Sequence, residues 1–335
     1  MVPLKKISLK DIAEAAGVSP ALVSFVLNGH AKEYRVGEET ALRVEKIARE
    51  MNYQPNLAAK NLRCGKTDTI GLVVSDISNP FFAQIARALE DKAIRHGYTV
   101  LFGSSDEDTK KMERVVGNLI NKGVDGLIVV PCENSEKAIA SLLKNNVPLV
   151  LLDRYFPELN VSYVSLNNFD AAYTATHYLI EEGYKHPGLV AYDIDLVHMK
   201  ERIRGYKRAM EDAGMKNLAH VGFIRQDTTR RLAERLIHKM TDAGVDSFLF
   251  GTNMIALTCL YTIKDMIDGG KRKLGLVSFD GSPAFDFFDA PISYMKQPID
   301  VLVQKSLSIL LDNIENGNNT VQSVLAEGVF TKRSH

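Results

Sequence analysis

Residues 7–29 read ISLKDIAEAAGVSPALVSFVLNG, and this stretch decides how the chain begins. Ser8 precedes Asp11 by three positions, the spacing at which a hydroxyl and a carboxylate satisfy each other's free amides at a helix start. Leu9, Ile12, Ala13 and Ala16 then share one helical face. Gly17 ends that helix, since a turn to positive φ costs glycine nothing. Ser19 can cap a second helix, and Pro20 fits its first position, where no amide hydrogen is needed. In this second helix Leu22, Val23, Val26 and Leu27 can bury against the first, while Ala21, Ser24, Phe25 and Asn28 face elsewhere. A third helix, from about Glu38 to Asn52, carries the stripe Val44, Ile47, Ala48 and Met51 and completes a small core. Cap, turn and cap in this order spell a helix-turn-helix, whose second helix suits a major groove. A helical hairpin that serves as a protein-interaction module is the plainer alternative.

Length and charge agree with such a reader at one end. The 335 residues suffice for two or three domains, and a content of 45% hydrophobic and 24% charged residues is that of a globular protein. The formal charge of zero conceals an asymmetry: residues 1–66 hold 11 Lys and Arg against 7 Asp and Glu, a net of +4, and the remainder 30 against 34, a net of −4. The basic end is the one suited to phosphate, although the bias is modest. Cys64, Cys132 and Cys259 are odd in number and lack CxxC spacing, which argues against a disulfide framework or a structural zinc. No apolar run has the length of a membrane span and no signal-peptide run opens the chain, so the cytoplasm is the expected compartment and no membrane is expected as partner.

From Thr69 onward short apolar runs alternate with amphipathic stretches. The runs are 70–74, 98–102, 126–130 and 148–152, then 188–192, 221–224, 247–250 and 274–279. The stretches between them often end at glycine: Gly97, Gly123, Gly183, Gly214 and Gly244. This is the grammar of an α/β fold with parallel sheets and crossover helices, and the two sets of runs suggest two similar lobes. A last long helix, about Pro298 to Asn316, should pack back on the first lobe. Ligands in such sheets bind beyond the carboxyl ends of the strands. The residues found there are Phe81 and Phe82 after Pro80, the pair Asp153 and Arg154, the pair Thr252 and Asn253, and Asp280; Arg202 opens a helix of the second lobe. Some of these have plainer readings. One phenylalanine could be core, Asp280 could cap the turn before Pro283, and Arg154 could form a surface ion pair. With no tryptophan in the chain, any aromatic face on a ligand must be Phe or Tyr.

A catalytic constellation does not emerge. GxGxxG, HExxH and GxSxG are absent, and the eight histidines are scattered, His177 and His238 reading as helix-surface residues. A sugar-active enzyme would need an acid and a base facing one another, for which Asp153 and Asp280 are the candidates. Gly65-Lys-Thr67 looks like the end of a phosphate-binding loop, but Lys60 stands where that loop requires glycine. A periplasmic binding protein would share the body but needs a signal peptide and no reader. The segment after the third helix is punctuated by Pro55; Asn56 could cap a short helix over about 57–63, marginal by itself, or the segment could be a flexible linker.

With Leu9-Lys-Asp-Ile-Ala13, Gly17-Val-Ser19, Val23-Ser24, Val26-Leu-Asn-Gly29 and Met51-Asn-Tyr-Gln-Pro-Asn56, the chain resembles the lactose-repressor family of bacterial transcription regulators over its whole length. The resemblance implies a helix-turn-helix domain over 1–54, a hinge helix over 55–68 and an effector-binding, dimerising body over 69–335. The body would be two-lobed like periplasmic sugar-binding proteins, with lobe 1 at about 69–163 and 297–325 and lobe 2 at about 164–296 and 326–335. Its crossovers would lie near 161–165, 293–297 and 324–328. The implied partners are double-stranded operator DNA, a small molecule such as a sugar, and a second copy of the chain as a homodimer; no cofactor is implied. Ser8, Ser19, Pro20, Ala21, Ser24, Phe25, Asn28, Tyr53 and Asn56 would serve DNA. In the hinge Ala59 would line the minor groove, Leu62 would wedge a base step, and Lys60, Arg63 and Lys66 would meet phosphates. Phe81, Phe82, Asp153, Arg202, Thr252, Asn253 and Asp280 would line the effector cleft, the arginine and aspartates gripping hydroxyls. Two positions depart from the family's pattern. Phe25 stands where arginine is common and could instead pack on a thymine methyl, and Thr252-Asn253 replaces the usual Asn-Asp pair. A leucine heptad tail of the kind that forms tetramers is not evident after Val329.

Overall fold

The computed structural model describes residues 7–53, 66–268, 273–317 and 320–333. They divide into two compact units, at Thr67 and Asp68. The hinge positions Asn56, Ala59, Lys60, Leu62 and Arg63 lie outside the described residues.

The first unit is built from α1 (Leu9–Ala16), α2 (Pro20–Leu27) and α3 (Glu38–Glu50). The caps form as the side chains dictate. Ser8 N donates to Asp11 Oδ2 at 2.7 Å while Asp11 N donates to Ser8 Oγ at 3.3 Å, and Leu22 N donates to Ser19 Oγ at 3.2 Å. Gly17 takes the left-handed conformation that closes α1 (φ 65°). Ile12, Ala13, Ala16, Val23, Val26, Val44 and Ala48 are buried together, with Leu22, Leu27, Ile47, Met51 and Tyr53 packed around them. Left-handed backbone at Asn52 (φ 50°) lies beyond α3, which ends at Glu50.

In the second unit the chain runs through β1 (Thr69–Val74), α4 (Pro80–Ala93), β2 (Thr99–Ser104), α5 (Thr109–Asn121), β3 (Gly126–Val129), α6 (Glu136–Lys144), β4 (Leu149–Leu152) and β5 (Tyr163–Leu166). It then passes through α7 (Asn168–Glu181), β6 (Pro187–Tyr192), α8 (Val197–Asp212), β7 (His220–Ile224), α9 (Arg230–Asp242), β8 (Ser247–Phe250), α10 (Asn253–Asp268), β9 (Gly275–Phe279) and β10 (Ser293–Lys296). It closes with α11 (Ile299–Asn316), β11 (Ser323–Ala326) and β12 (Val329–Thr331). Two six-stranded sheets result, ordered β11-β5-β4-β3-β1-β2 and β12-β10-β9-β8-β6-β7. All pairs are parallel except β12, which runs antiparallel to β10. The strand orders match position for position, so each lobe repeats the other's design. Gly97, Gly123, Gly183, Gly214 and Gly244 all sit at positive φ beyond their helices.

Each sheet is covered on both faces, and β3, β4, β8 and β9 are accordingly buried along their whole length and largely apolar. Leu302, Val303, Leu307 and Leu310 of α11 are buried in the first lobe's core beside Ile70, Leu72 and Ile128. The stretches expected to cross between lobes carry strands, β5, β10 and β11, too short and too polar to stand out as apolar runs. Because β5 continues in the first sheet to Leu166, the first change of lobe falls after that residue rather than at 163. The last falls after Ala326. The lobes are in contact. Leu196 of the second is buried among first-lobe residues, and Asp195 N donates to Glu133 Oε1 at 2.6 Å.

Candidate functional site

On the first unit, the residues read as facing away from the core line the outer side of α2. Pro20, Ala21 and Asn28 are exposed, and Ser24 and Phe25 are partly so. Ser8 and Ser19 spend their hydroxyls on the caps. Asn28 Nδ2 donates to Ser24 O at 2.7 Å and to its Oγ at 3.2 Å, so these two side chains form one polar edge. Phe25 is not free-standing. Its ring lies face to face with Tyr34, centroids 3.7 Å apart and planes within 3°. Tyr34 belongs to the turn between α2 and α3, closed by His30 N donating to Phe25 O at 2.8 Å and Val36 N to Ala31 O at 2.8 Å. The aromatic side chain at position 25 thus anchors a loop, a pairing that spacing along the sequence could not reveal.

In the second unit, Phe81, Phe82, Asp153, Arg202, Thr252, Asn253 and Asp280 all line one cavity of about 160 Å³ between the lobes. The sheets put them there. Asp153 follows β4 and Asp280 follows β9, equivalent positions of the two lobes, and both hold left-handed backbone (φ 67° and 61°). Their amides donate in the same way to the neighbouring strand, Asp153 N to Val164 O and Asp280 N to Met295 O, each at 2.9 Å. Such conformations cost a non-glycine residue about 1–3 kcal/mol and concentrate at functional sites. Phe81 and Phe82 are each both core and wall, packed edge to face in the first lobe's cluster. Asp280 does not cap the turn at Pro283, where Ser282 accepts from Ala284 N. Thr252 Oγ1 accepts from Ile255 N at 3.1 Å and caps the first turn of α10.

Arg202 crosses the floor of the cavity with 2% of its surface exposed. Its Nε donates to Asn168 Oδ1 at 2.8 Å, one Nη to Gly251 O at 2.5 Å, and its plane covers Phe279 at 4.0 Å. Burial lowers its pKa, and Asp280 and Asp153 oppose that effect. Burial also lifts the carboxyl of Asp153, and that of Asp280 to about 6, against the pull of the arginines and, at Asp280, of Gln297, whose Nε2 donates at 3.0 Å. Asp280 is enclosed by protein but retains some surface on the cleft, so its carboxylate is not cut off from water.

Arg154 is no surface residue: it is buried, and its two Nη atoms donate to the two carboxylate oxygens of Glu107, each at 2.7 Å. Burial would raise the Glu107 pKa, but the charge and hydrogen bonds of Arg154 outweigh it and hold the carboxyl below its usual value. Gln226 of the second lobe donates to the same carboxylate at 3.2 Å. His198 is buried, and burial followed by the nearby arginines keeps it far below its usual pKa and therefore neutral.

The buried side-chain polar atoms without a hydrogen-bond partner among the described residues are Ser75 Oγ, Arg154 Nε, His198 Nδ1 and Gln297 Oε1. All four residues line this one cavity. Buried polar groups are otherwise almost always satisfied, so the convergence singles this cavity out. Sequence reasoning found the residues beyond β1, β4, β8 and β9 but missed Glu107 beyond β2 and Gln297 beyond β10. His198 stands one residue inside α8 and carried no signal of its own. His177 and His238 lie on helix surfaces beside Glu181 and Glu234. Among the described residues no cluster of His, Cys, Asp and Glu could hold a metal ion, and no helix is long and apolar enough to cross a membrane.

Residues 8–56 match the model of bacterial regulatory proteins of the lacI family, and residues 67–254 that of periplasmic binding proteins and the sugar-binding domain of the LacI family. A periplasmic-binding-protein-like model also matches residues 176–334. The chain belongs to the LacI family. Its relatives include the ribose operon repressor of Halalkalibacterium halodurans, 32% identical over 311 residues that cover 92% of this chain and 90% of that protein. They also include the HTH-type transcriptional repressor PurR of Aliivibrio salmonicida, 29% identical over 313 residues that cover 92% of each. The lac repressor dimer bound to operator and the anti-inducer ONPF shares the fold with a TM-score of 0.85 at 23% identity, over 98% of both chains. This LacI-family protein is a DNA-binding transcriptional regulator with a periplasmic-binding-protein-like ligand domain.

Proposed function

We propose that the protein represses transcription from a roughly palindromic operator and that a small polar effector, a sugar or sugar derivative, binds in the interlobe cavity and controls that repression. The observation that carries this reading is the convergence of four unsatisfied buried polar atoms on one cavity, walled by Phe81 and Phe82 and flanked by Arg202, Asp153 and Asp280. Hydroxyl groups can both donate and accept, which is what such a mixed set requires. The named repressors among its relatives support the sign of the regulation, and the ribose operon repressor supports a sugar. We assign the outer edge of α2, from Ser19 to Asn28, to the major groove, with Leu62 and its neighbours in the segment that follows serving the minor groove.

Two copies pairing through their bodies would present two readers with two-fold symmetry. Phe102 on edge strand β2 and Phe223 on edge strand β7 are 45% and 50% exposed, apolar side chains at matching edges of the two lobes that pairing would cover. A reader of chromosomal DNA works in the cytoplasm. Selection from random DNA by the full chain, with and without a panel of neutral sugars, tests the reading. It should return one inverted-repeat motif whose recovery changes with a sugar, and Phe25→Arg should change the motif because it removes the stack on Tyr34 and adds a guanine-seeking group. Recovery of no motif under any condition would refute the proposal.

A further inference from the structure

We infer that Glu107 serves as a built-in anion for Arg154, and thereby sets the cleft to take an uncharged polyol and to reject phosphorylated or carboxylated ligands. The inference rests on the cleft being the effector site and concerns the chemical class admitted there. A guanidinium with both Nη atoms free is a fork made for phosphate or carboxylate. Here the fork is filled by the chain itself, through two parallel 2.7 Å hydrogen bonds to one carboxylate. A third donation from the same guanidinium, to Pro131 O at 3.3 Å, takes up more of its capacity, and its Nε lies 3.5 Å from Asp153 Oδ2.

The second guanidinium is also largely spent. Arg202 gives its Nε to Asn168 and one Nη to Gly251, leaving the other Nη for a guest. Against these two cations the cavity wall carries the carboxylates of Asp76, Glu107, Asp153 and Asp280. An entering anion must therefore displace Glu107 or rely on the one remaining Nη of Arg202 in a largely buried space lined by four carboxyl groups. A neutral ring with several hydroxyls meets neither obstacle.

The placement of Glu107 also ties selection to closure. Asp106 and Glu107 are consecutive left-handed residues (φ 50° and 57°), so this loop is held in an uncommon shape. From the opposite lobe, Gln226 donates to Glu107 at 3.2 Å. An anion that pulled Arg154 away from Glu107 would disturb a contact that bridges the two lobes, whereas a polyol leaves it intact.

The test is calorimetry and thermal shift on the full chain with inorganic phosphate, D-ribose, D-glucose, ribose 5-phosphate and glucose 6-phosphate. The wild type should show no response to inorganic phosphate or to either ester beyond that to the parent sugar. Glu107→Gln, which frees the fork, should gain at least tenfold in affinity for inorganic phosphate. A folded Glu107→Gln without that gain overturns the inference. So does a wild type that binds a sugar phosphate more tightly than the parent sugar, a comparison that holds even if the variant does not fold. Failure of the effector-site reading would look different: ligands would bind, but Arg202→Ala would leave every affinity unchanged.

Discussion

Asp280 shows how a single residue can serve binding at a cost to stability. Its carboxyl is lifted from 3.8 to about 6 because burial outweighs the attraction of Arg202 and the hydrogen bond from Gln297. Within that window the folded chain holds more protons than the unfolded one, so stability falls as the pH rises from about 4 to about 6. Above the window the ionised group is a standing penalty, and below it none remains. A tenfold difference in proton affinity between the folded and unfolded chain corresponds to about 1.4 kcal/mol, and the penalty is reduced here because the carboxylate still meets cleft water. Asp280→Asn should therefore equal the wild type near pH 4 and exceed it by about 1–2 kcal/mol above pH 7, while weakening any cleft ligand. Urea unfolding across that pH range checks it; a difference independent of pH would show that the charge is not the cause. Asp280 was legible in the sequence because it directly follows a strongly apolar strand. Glu107 was not: it lies in the polar loop Ser105-Asp-Glu-Asp108, any acid of which could have faced solvent, and its partner Arg154 is joined to it only by the fold.

Among the elements, the packing of α7 on α8 matters most to the cleft, since α7 supplies Asn168 and α8 supplies Arg202, hydrogen-bonded to each other. Gly205 is the closest approach. A methyl added there would run into the carbonyl of Phe169 and come within 3.0 Å of Tyr173 N, backbone atoms that cannot rotate away. Gly205→Ala should cost about 1–3 kcal/mol by overpacking and reduce cleft affinity along with stability, because Asn168 and Arg202 would be moved apart. Unfolding midpoints measured beside ligand affinity check this, and a variant as stable as the wild type would contradict the close packing. The sequence announced the elements unevenly for a related reason. Strands buried on both faces read as continuous apolar runs and helices closed by glycine read as bounded. By contrast β5, β10 and β11 are four-residue strands near one edge of their sheets, with polar residues among them, and declare themselves only by pairing. The same limit hid the turn that carries Tyr34 onto Phe25.

At the scale of the molecule, the two lobes repeat one sheet order, and their matching aspartates meet across one cavity. Contacts such as Leu196 in the first lobe's core, Asp195 with Glu133 and Gln226 with Glu107 join the lobes and would be altered by a change in their angle. A ligand that touches both lobes can favour one angle only by its differential affinity for it, and linkage then requires that DNA and ligand alter each other's binding by the same factor. The central claim is that occupancy of this cleft sets DNA affinity. The measurement is the fluorescence-anisotropy Kd for the selected operator at fixed salt, with and without a saturating cleft ligand, for the wild type and for Arg202→Ala. The wild type should shift about fivefold or more in one direction, and Arg202→Ala should shift little. An operator affinity indifferent to ligand in the wild type, or an equal shift in both proteins, would contradict it.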